Sequence, residues 1–219
     1  MALRQIEESV DEIIVVGGGG HAKVVISILK KLNRYRILGY TDITNRGALL
    51  GIPYLGSDDE LAMRAAHSKK MNVVLGVGQV GIGNTRNEIW RRLNSLSLLL
   101  PSIVSPNAIV NEDASCGDGS VVMDGAVINT GAIIGCGAIV NTNSTVEHDV
   151  RIEDWVHVAP GATICGDVNV GRFSMIGAGA TVKEGITISS SCVVGAGATV
   201  VVDLKEPGIY VGCPARRIK

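Results

Sequence analysis

From Val104 to Val200 a β-branched aliphatic residue returns at every sixth position: Val104, Val110, then Cys116, Val122, Ile128, Ile134 and onward. Sixteen of these seventeen positions are valine or isoleucine. Three places after each, fourteen of seventeen are Gly, Asn or Asp, and four places after each, twelve are Ala, Ser or Cys. β-Branched side chains favour an extended backbone. Gly, Asn and Asp tolerate the positive φ of a tight turn. Each hexad therefore reads as a short strand followed by a corner. A chain that turns every six residues with one aliphatic side chain inward winds into a prism, a hexapeptide β-helix. A β-sandwich would not keep one period over so long a run without a slip.

Before the repeat the pattern changes. Glu12 to Val16 is an apolar run that enters Gly17-Gly-Gly-Gly20-His21-Ala22, and Lys23 to Leu32 has helical period. A second strand is predicted over Arg36 to Tyr40, followed by Asp42. Next come a helix over Asp58 to His67 capped by Ser57, a strand over Asn72 to Gly78, and a helix over Asn84 to Leu96 carrying Arg86, Arg91 and Arg92. His67 reads as a solvated surface residue. About four strands and three helices make a half-sized doubly wound sheet. The fold class expected is an α/β N-terminal small Rossmann-like domain (1–100) followed by a parallel β-helix (101–219). Beyond Leu204 the six-residue period is lost, and the tail is expected to cap the last coil.

Gly17-x-Gly19-x-x-Ala22 satisfies the glycine fingerprint of a nucleotide-binding strand-turn-helix. Glycines there let a phosphate approach the free N–H groups at the helix start. Asp42 follows at the spacing where an acid meets a ribose or base. A tight turn with no ligand stays open as the alternative. So small a sheet argues against a dehydrogenase with its own substrate domain, and suits a mononucleotide or nucleotide sugar.

Composition narrows the classes further. The 219 residues carry a net charge of −1 with a pI near 6.4, and no basic stripe points to nucleic acid. The opening MALRQIEESVDE is polar and unlike a signal peptide. No apolar run approaches the ~18 residues of a membrane span, so a soluble chain is expected. The five cysteines, Cys116, Cys136, Cys165, Cys192 and Cys213, are scattered rather than paired, which suits a reducing cytoplasm. They read as occupants of structural slots. Val156 and Val168 read as apolar residues on the outer faces of the prism, and with its narrow core they lead us to expect self-association.

The position two after each aliphatic residue falls at a corner. In Thr145-Val-Glu-His-Asp-Val150 that corner is His148, flanked by Glu147 and Asp149. A neighbouring carboxylate orients an imidazole and stabilises its charged form, as a general base requires; a solvated corner histidine is the other reading. The repeat resembles that of hexapeptide acyltransferases, which implies three hexads, ~18 residues, per coil. On that spacing Gly166 lies beside His148. His157 and Asn141 fall on the opposite side of the same prism. They can meet His148 only across a contact between parallel prisms, which predicts an active site at a subunit interface and symmetric repetition of it. The competing metal reading, a γ-carbonic-anhydrase-type site, uses three histidines. The prism has only His148 and His157, so no metal is expected.

Taken in order, Val-Val-Gly-Gly-Gly-Gly-His21, Asp42, Asn141-Thr-Asn-Ser-Thr-Val-Glu-His148, His157 and Gly212-Cys-Pro-Ala-Arg216 resemble the sialic-acid O-acetyltransferase family of bacterial sugar acetyltransferases. That family includes UDP-4-amino-sugar (bacillosamine pathway) and perosamine N-acetyltransferases. The resemblance covers essentially the whole chain. It implies a homotrimer of left-handed prisms with acetyl-CoA between neighbours, and a nucleotide-sugar acceptor on the N-terminal domain. His148 is then the general base, helped by Asp149 and Glu147. The Gly166 N–H faces the thioester oxygen, and Ala178 and Ala196 line the pantetheine path with His157. Gly19, Gly20, His21, Asp42, Gly78, Arg86 and Asn141 match the acceptor side. The expected function is N-acetylation of a 4-amino nucleotide sugar in surface-glycan biosynthesis. Alternatives are O-acetylation of a sialic acid or related sugar, and a non-catalytic nucleotide-binding scaffold.

Overall fold

The computed structural model describes residues 10–67, 71–81 and 84–219, with residues 66 and 67 by their backbone alone. The first nine residues and the side chain of His67 lie outside the described residues. Strands β1 (Asp11–Val16), β2 (Tyr35–Thr41), β3 (Tyr54–Gly56) and β4 (Asn72–Leu75) form one sheet in the order β3-β2-β1-β4. Each adjacent pair runs parallel. Helices α1 (Gly20–Leu32), α2 (Asp59–His67) and α3 (Thr85–Ser95) cover it. Two boundaries differ from the sequence pattern. Helix α1 starts inside the glycine run, where Gly20-His21-Ala22 carry no amphipathic signal. Strand β4 stops at Leu75, and the following Gly76-Val77-Gly78 leave the sheet.

From Ile103 to Val200 the chain is a left-handed parallel β-helix of two- and three-residue strands. Residues 18 apart pair across successive coils: Ile139 with His157, Thr145 with Thr163, Arg151 with Asn169. Three flat faces result. One runs through Ile103, Val121, Ile139, His157 and Met175, the second through Ile109, Thr145 and Thr163, and the third through Ile133, Arg151 and Asn169. Ladder bonds such as Ile139 N–H to Val156 O (2.9 Å) hold the coils together. The aliphatic column from Val122 to Val200 fills the interior. At the far end Gly208–Val211 adds a strand beside Cys192–Val194, and Tyr210 and Ala215 close the core.

Val156 and Val168 are fully buried inside the prism, not on its outer faces. They occupy the small-residue position four after Ile152 and Ile164, which also points inward. Ile109 and Ile133 are exposed on the second and third faces, and a further apolar patch of the outer surface lies at Ile103, Val121, Met123 and Ile139. The chain's own α1 and β1 cover that patch, so its side chains give no independent reason for self-association. Nor do all five cysteines sit in structural slots. Cys192 is buried, Cys116, Cys136 and Cys165 are half-buried, and Cys213 is exposed in the tail.

The other side of the α/β sheet packs α2 and α3 around Leu61, Leu75 and Leu93, and this cluster reaches the prism at Trp155. The indoles of Trp90 and Trp155 meet edge to face at 5.4 Å. Trp155 has φ 61°, where the corner pattern supplies Gly, Asn or Asp. A bulky residue there costs about 1–2 kcal/mol. Burying an indole, ~150–250 Å² at ~25 cal/mol per Å², contributes about 4–6 kcal/mol and offsets it. One coil below, Gly137 (φ 64°) lies directly under this indole, and a Cβ there would overlap the ring. Gly161 has nearly the same backbone (φ 66°) but faces open space. Gly161→Ala is expected to cost about 1 kcal/mol through φ alone, and Gly137→Ala a further ~1–3 kcal/mol through overpacking. Denaturant unfolding of the two variants compares them; equal losses would contradict the docking role of Trp155.

Candidate active site

Strand order β3-β2-β1-β4 reverses direction between β1 and β4, and ligands of open α/β sheets bind beyond the carboxyl ends of strands at such a point. A cavity of about 580 Å³ opens there. Gly17 to His21 form one wall, Gly76 to Val80 the second, and Met123, Ile139, Asn141 and His157 of the prism the floor. Gly19 and Gly20 have nothing within reach of a Cβ, so the start of α1 presents bare backbone. No acidic side chain lies in the first turn of α1, which leaves its positive end available to an anion. Asp42 holds the loop from below: one carboxylate oxygen accepts the Gly18 N–H at 2.6 Å, the other the Thr44 N–H at 2.9 Å. A Cβ at Gly18 would collide with Tyr40 and crowd Asp42. Arg46 stands 3.8 Å from Asp42 at the cavity edge.

The floor is polar where His157 and Asn141 meet. His157 Nδ1 lies 2.9 Å from the Gln79 carbonyl oxygen, and Nε2 lies 3.1 Å from Asn141 Nδ2. Asn141 Oδ1 accepts the Thr142 N–H at 2.8 Å, which pins its amide group. Burial, opposed in part by the bond to Gln79 and reinforced by Arg86, lowers the His157 pKa to about 4. His21 is pushed lower still, to about 3, by burial first and then by the charges of Arg86 and His157. Its Nε2 is buried with no hydrogen-bond partner among the described residues. Gly78 packs against His21, where an added Cβ would lie 3.4 Å from the His21 Cβ and 3.7 Å from the ring. Arg86 does not line the cavity. It is 2% exposed, and its guanidinium donates to the carbonyls of Val77 and Gly137, the latter at 3.2 Å.

His148 stands at a different edge, between the second and third prism faces. Its Nδ1 is 3.0 Å from Asp149 Oδ2. A carboxylate only accepts, so Nδ1 carries the proton and Nε2 is the free basic atom. The bond to Asp149 is the largest influence raising the His148 pKa above 6.5. A Cβ on Gly166 would sit 2.6 Å from Nε2, so the imidazole lies over that glycine. Asp149 itself adopts φ 59°, the turn conformation its position requires. Glu147 forms no hydrogen bond with His148, though its charge helps raise the His148 pKa. It accepts a hydrogen bond from Asn129 at 2.9 Å, and Asn129 in turn accepts one from Asn111 at 3.0 Å. Ala178 and Ala196 are exposed, stack one coil apart, and occupy the edge between the first and second faces, not the edge of His148.

One chain thus brings together Gly19, Gly20, His21, Asp42, Gly78, Asn141 and His157, and leaves His148, Asp149 and Gly166 apart from them. Sequence reasoning missed Gln79, Met123, Ile139 and Arg46. Gln79 acts through its backbone, which no side-chain pattern reports. Met123 and Ile139 are outward-facing apolar residues of the repeat, and their excess on one face was the available signal.

A glycine-loop cavity at a sheet switch point, joined to a hexapeptide prism that presents an oriented corner imidazole, defines a hexapeptide-repeat transferase with a nucleotide-type binding domain. Comparison with known proteins gives the particular family. Residues 12–93 match the PglD N-terminal domain, and residues 131–166 match the bacterial transferase hexapeptide (six repeats). The acetyltransferase domain of PglB from Neisseria gonorrhoeae FA1090, solved in complex with acetyl coenzyme A, is 32% identical with a TM-score of 0.86, covering 94% of this chain and 98% of that one. PerB from Caulobacter crescentus, solved with CoA and GDP-perosamine, is 32% identical with a TM-score of 0.88, covering 96% and 99%. WeeI from Acinetobacter baumannii AYE shares the fold at 23% identity and a TM-score of 0.83, covering 94% and 99%. No curated protein gives a match. The chain belongs to the family of hexapeptide sugar acetyltransferases that PglB and PerB represent. Among the described residues, no helix is long and apolar enough to cross a membrane.

The buried histidines make a stability prediction. The folded-state pKa values of His21 and His157 lie below the ordinary 6.5, so the unfolded chain binds these protons first. Their contribution to stability is full above pH 6.5 and is lost as pH falls toward 4 and then 3. His21→Gln is expected to flatten the decline in unfolding free energy between pH 7.5 and 4.5. An unchanged slope would contradict a neutral, buried His21.

Proposed function

We propose that the protein transfers the acetyl group of acetyl-CoA directly to the amine of a nucleotide-linked 4-amino sugar, in surface-glycan biosynthesis. The observation that carries the catalytic part of this reading is the His148 ring. Nδ1 is engaged by Asp149, Nε2 is free, and the atoms beneath it are those of a glycine. The amine lone pair attacks the acetyl carbon while Nε2 takes the amine proton. The C–S bond then breaks, and CoA leaves as the thiolate that regains the proton. The Gly166 N–H, which neighbouring ladder bonds from Cys165 and Asp167 leave out, is placed to stabilise the developing oxyanion.

The acceptor side rests on the cavity. Its glycine-rich wall, unopposed helix N-terminus and prism floor suit the diphosphate and sugar of a nucleotide sugar, and PerB was solved with such a ligand. His148 does not line this cavity, so the complete site forms where the His148 edge of one copy meets the cavity of another. A homotrimer supplies three such junctions. Acetyl-CoA then lies along the junction, with Ala178 and Ala196 leaving room for its pantetheine arm. The thiol of half-buried Cys165, next to Gly166, is pushed up mainly by burial, which fits transfer without an acetyl-cysteine.

Thiol release from acetyl-CoA, measured against UDP-, GDP- and dTDP-linked 4-amino sugars and free sialic acid, tests this reading. Turnover with an amino sugar, lowered ~10²–10⁴-fold by His148→Ala, is expected. Turnover on sialic acid alone would replace it with O-acetylation, and silence on all acceptors would replace it with a scaffold. In the active protein, kcat/KM is expected to rise with pH through a group with pKa above 6.5, because only neutral His148 accepts a proton. Asp149→Asn removes the largest cause of that raised value and moves the limb to lower pH; an unmoved limb would assign it to another group.

A further inference from the structure

Arg86 matches the acceptor side by resemblance, yet its guanidinium is buried against two backbone carbonyls and does not line the cavity. No carboxylate pairs with it among the described residues, and its Nε has no partner. Removing a guanidinium from water with only carbonyls as partners is costly, so its placement calls for a physical account.

The bonds around it give one. Val77 and Gln79 belong to the segment that leaves β4 and walls the cavity. Arg86, from the first turn of α3, joins Val77 O to Gly137 O on the prism. Two residues on, Gln79 O accepts a hydrogen bond from the His157 Nδ1–H. A carbonyl can only accept and an amide nitrogen can only donate, so Gln79 O and Asn141 Nδ2 require the same state of His157 independently: neutral, protonated on Nδ1, with the Nε2 lone pair toward Asn141. Both ring nitrogens are then taken, and His157 has no polar atom left for a ligand. Its output is the orientation of Asn141, which keeps one amide hydrogen for the cavity.

We propose that Arg86 is a positioning residue: by tying Val77 to the prism at Gly137 it places the Gln79 carbonyl that fixes the His157 tautomer, and through His157 the Asn141 amide. The guanidinium also adds a positive charge beside His157 and His21 that opposes their protonation. The consequence for catalysis rests on the proposed acetyl transfer; the tautomer does not.

The test is nitrogen NMR of the full-length protein labelled with ¹⁵N-histidine. Its four histidines are assigned with His→Gln variants. His157 is expected to show one Nδ1-protonated tautomer from pH 6 to 8, and an Nε2-protonated ring in the unsubstituted protein would overturn the proposal at once. Arg86→Met is expected to replace that single state with a mixture and to lower kcat by up to about a hundredfold, with KM for acetyl-CoA within about twofold. Arg86→Lys, which keeps the charge and reaches Val77, is expected to recover the tautomer in part. The wild-type tautomer retained in both variants would overturn the proposal. Failure of both to fold would also overturn it, assigning Arg86 to domain attachment alone. Absence of turnover in the unsubstituted protein would remove the acetyltransferase reading while leaving the tautomer to be read.

Discussion

Parallel hydrogen bonding between residues 18 apart is the constraint on which the rest of this molecule depends. Once a coil is laid on the one before it, every side chain has a fixed face or edge and a fixed neighbour above and below. His148 and Gly166 are stacked because one coil separates them, and Ile139 lies beside His157 for the same reason. The interior contributes stability but little placement, since any aliphatic side chain of similar volume would serve. The ladder does the placing, and it also keeps His148 away from the cavity of its own chain.

The docking of the α/β sheet onto the first prism face turns an outer surface into the floor of a site. Ile103, Val121 and Ile139 are buried beneath α1 and β1, and His157 is the next residue in that column. Burial on that face is what holds His157 neutral. Nothing comparable covers His148, whose side chain is 58% exposed and whose pKa is raised by Asp149. Two histidines nine positions apart are therefore driven in opposite directions by two causes: a domain buries His157, and a carboxylate pairs with His148. Trp155 marks the strength of that attachment, accepting a positive φ in order to meet Trp90.

Much of this was legible in the sequence because period and turn chemistry are local properties. The hexad announces the prism, and the glycine fingerprint announces the β1 to α1 turn. What escaped was whatever depends on direction across a surface. Val156 and Val168 could not be sorted from outward residues by hydrophobicity alone, since both kinds are aliphatic. The covered outer face held its own clue in Ile103, Val121 and Ile139, but an apolar outer column does not say whether a second copy or the same chain covers it. Arg86 was matched to the acceptor side by resemblance alone, which carries no information on what its guanidinium touches. Its actual partners are backbone carbonyls, which leave no trace in side-chain patterns.

An active site completed between copies is the claim with the most consequence, and subunit complementation tests it most directly. His148→Ala and Asn141→Ala are each expected to abolish acetyl transfer when assembled alone. Mixed oligomers made by co-expressing the two would contain junctions with an intact His148 edge facing an intact cavity. Recovery of a substantial fraction of wild-type turnover is expected in the mixture. Two inactive variants that stay inactive when mixed, despite forming mixed oligomers, would place the whole site within one chain.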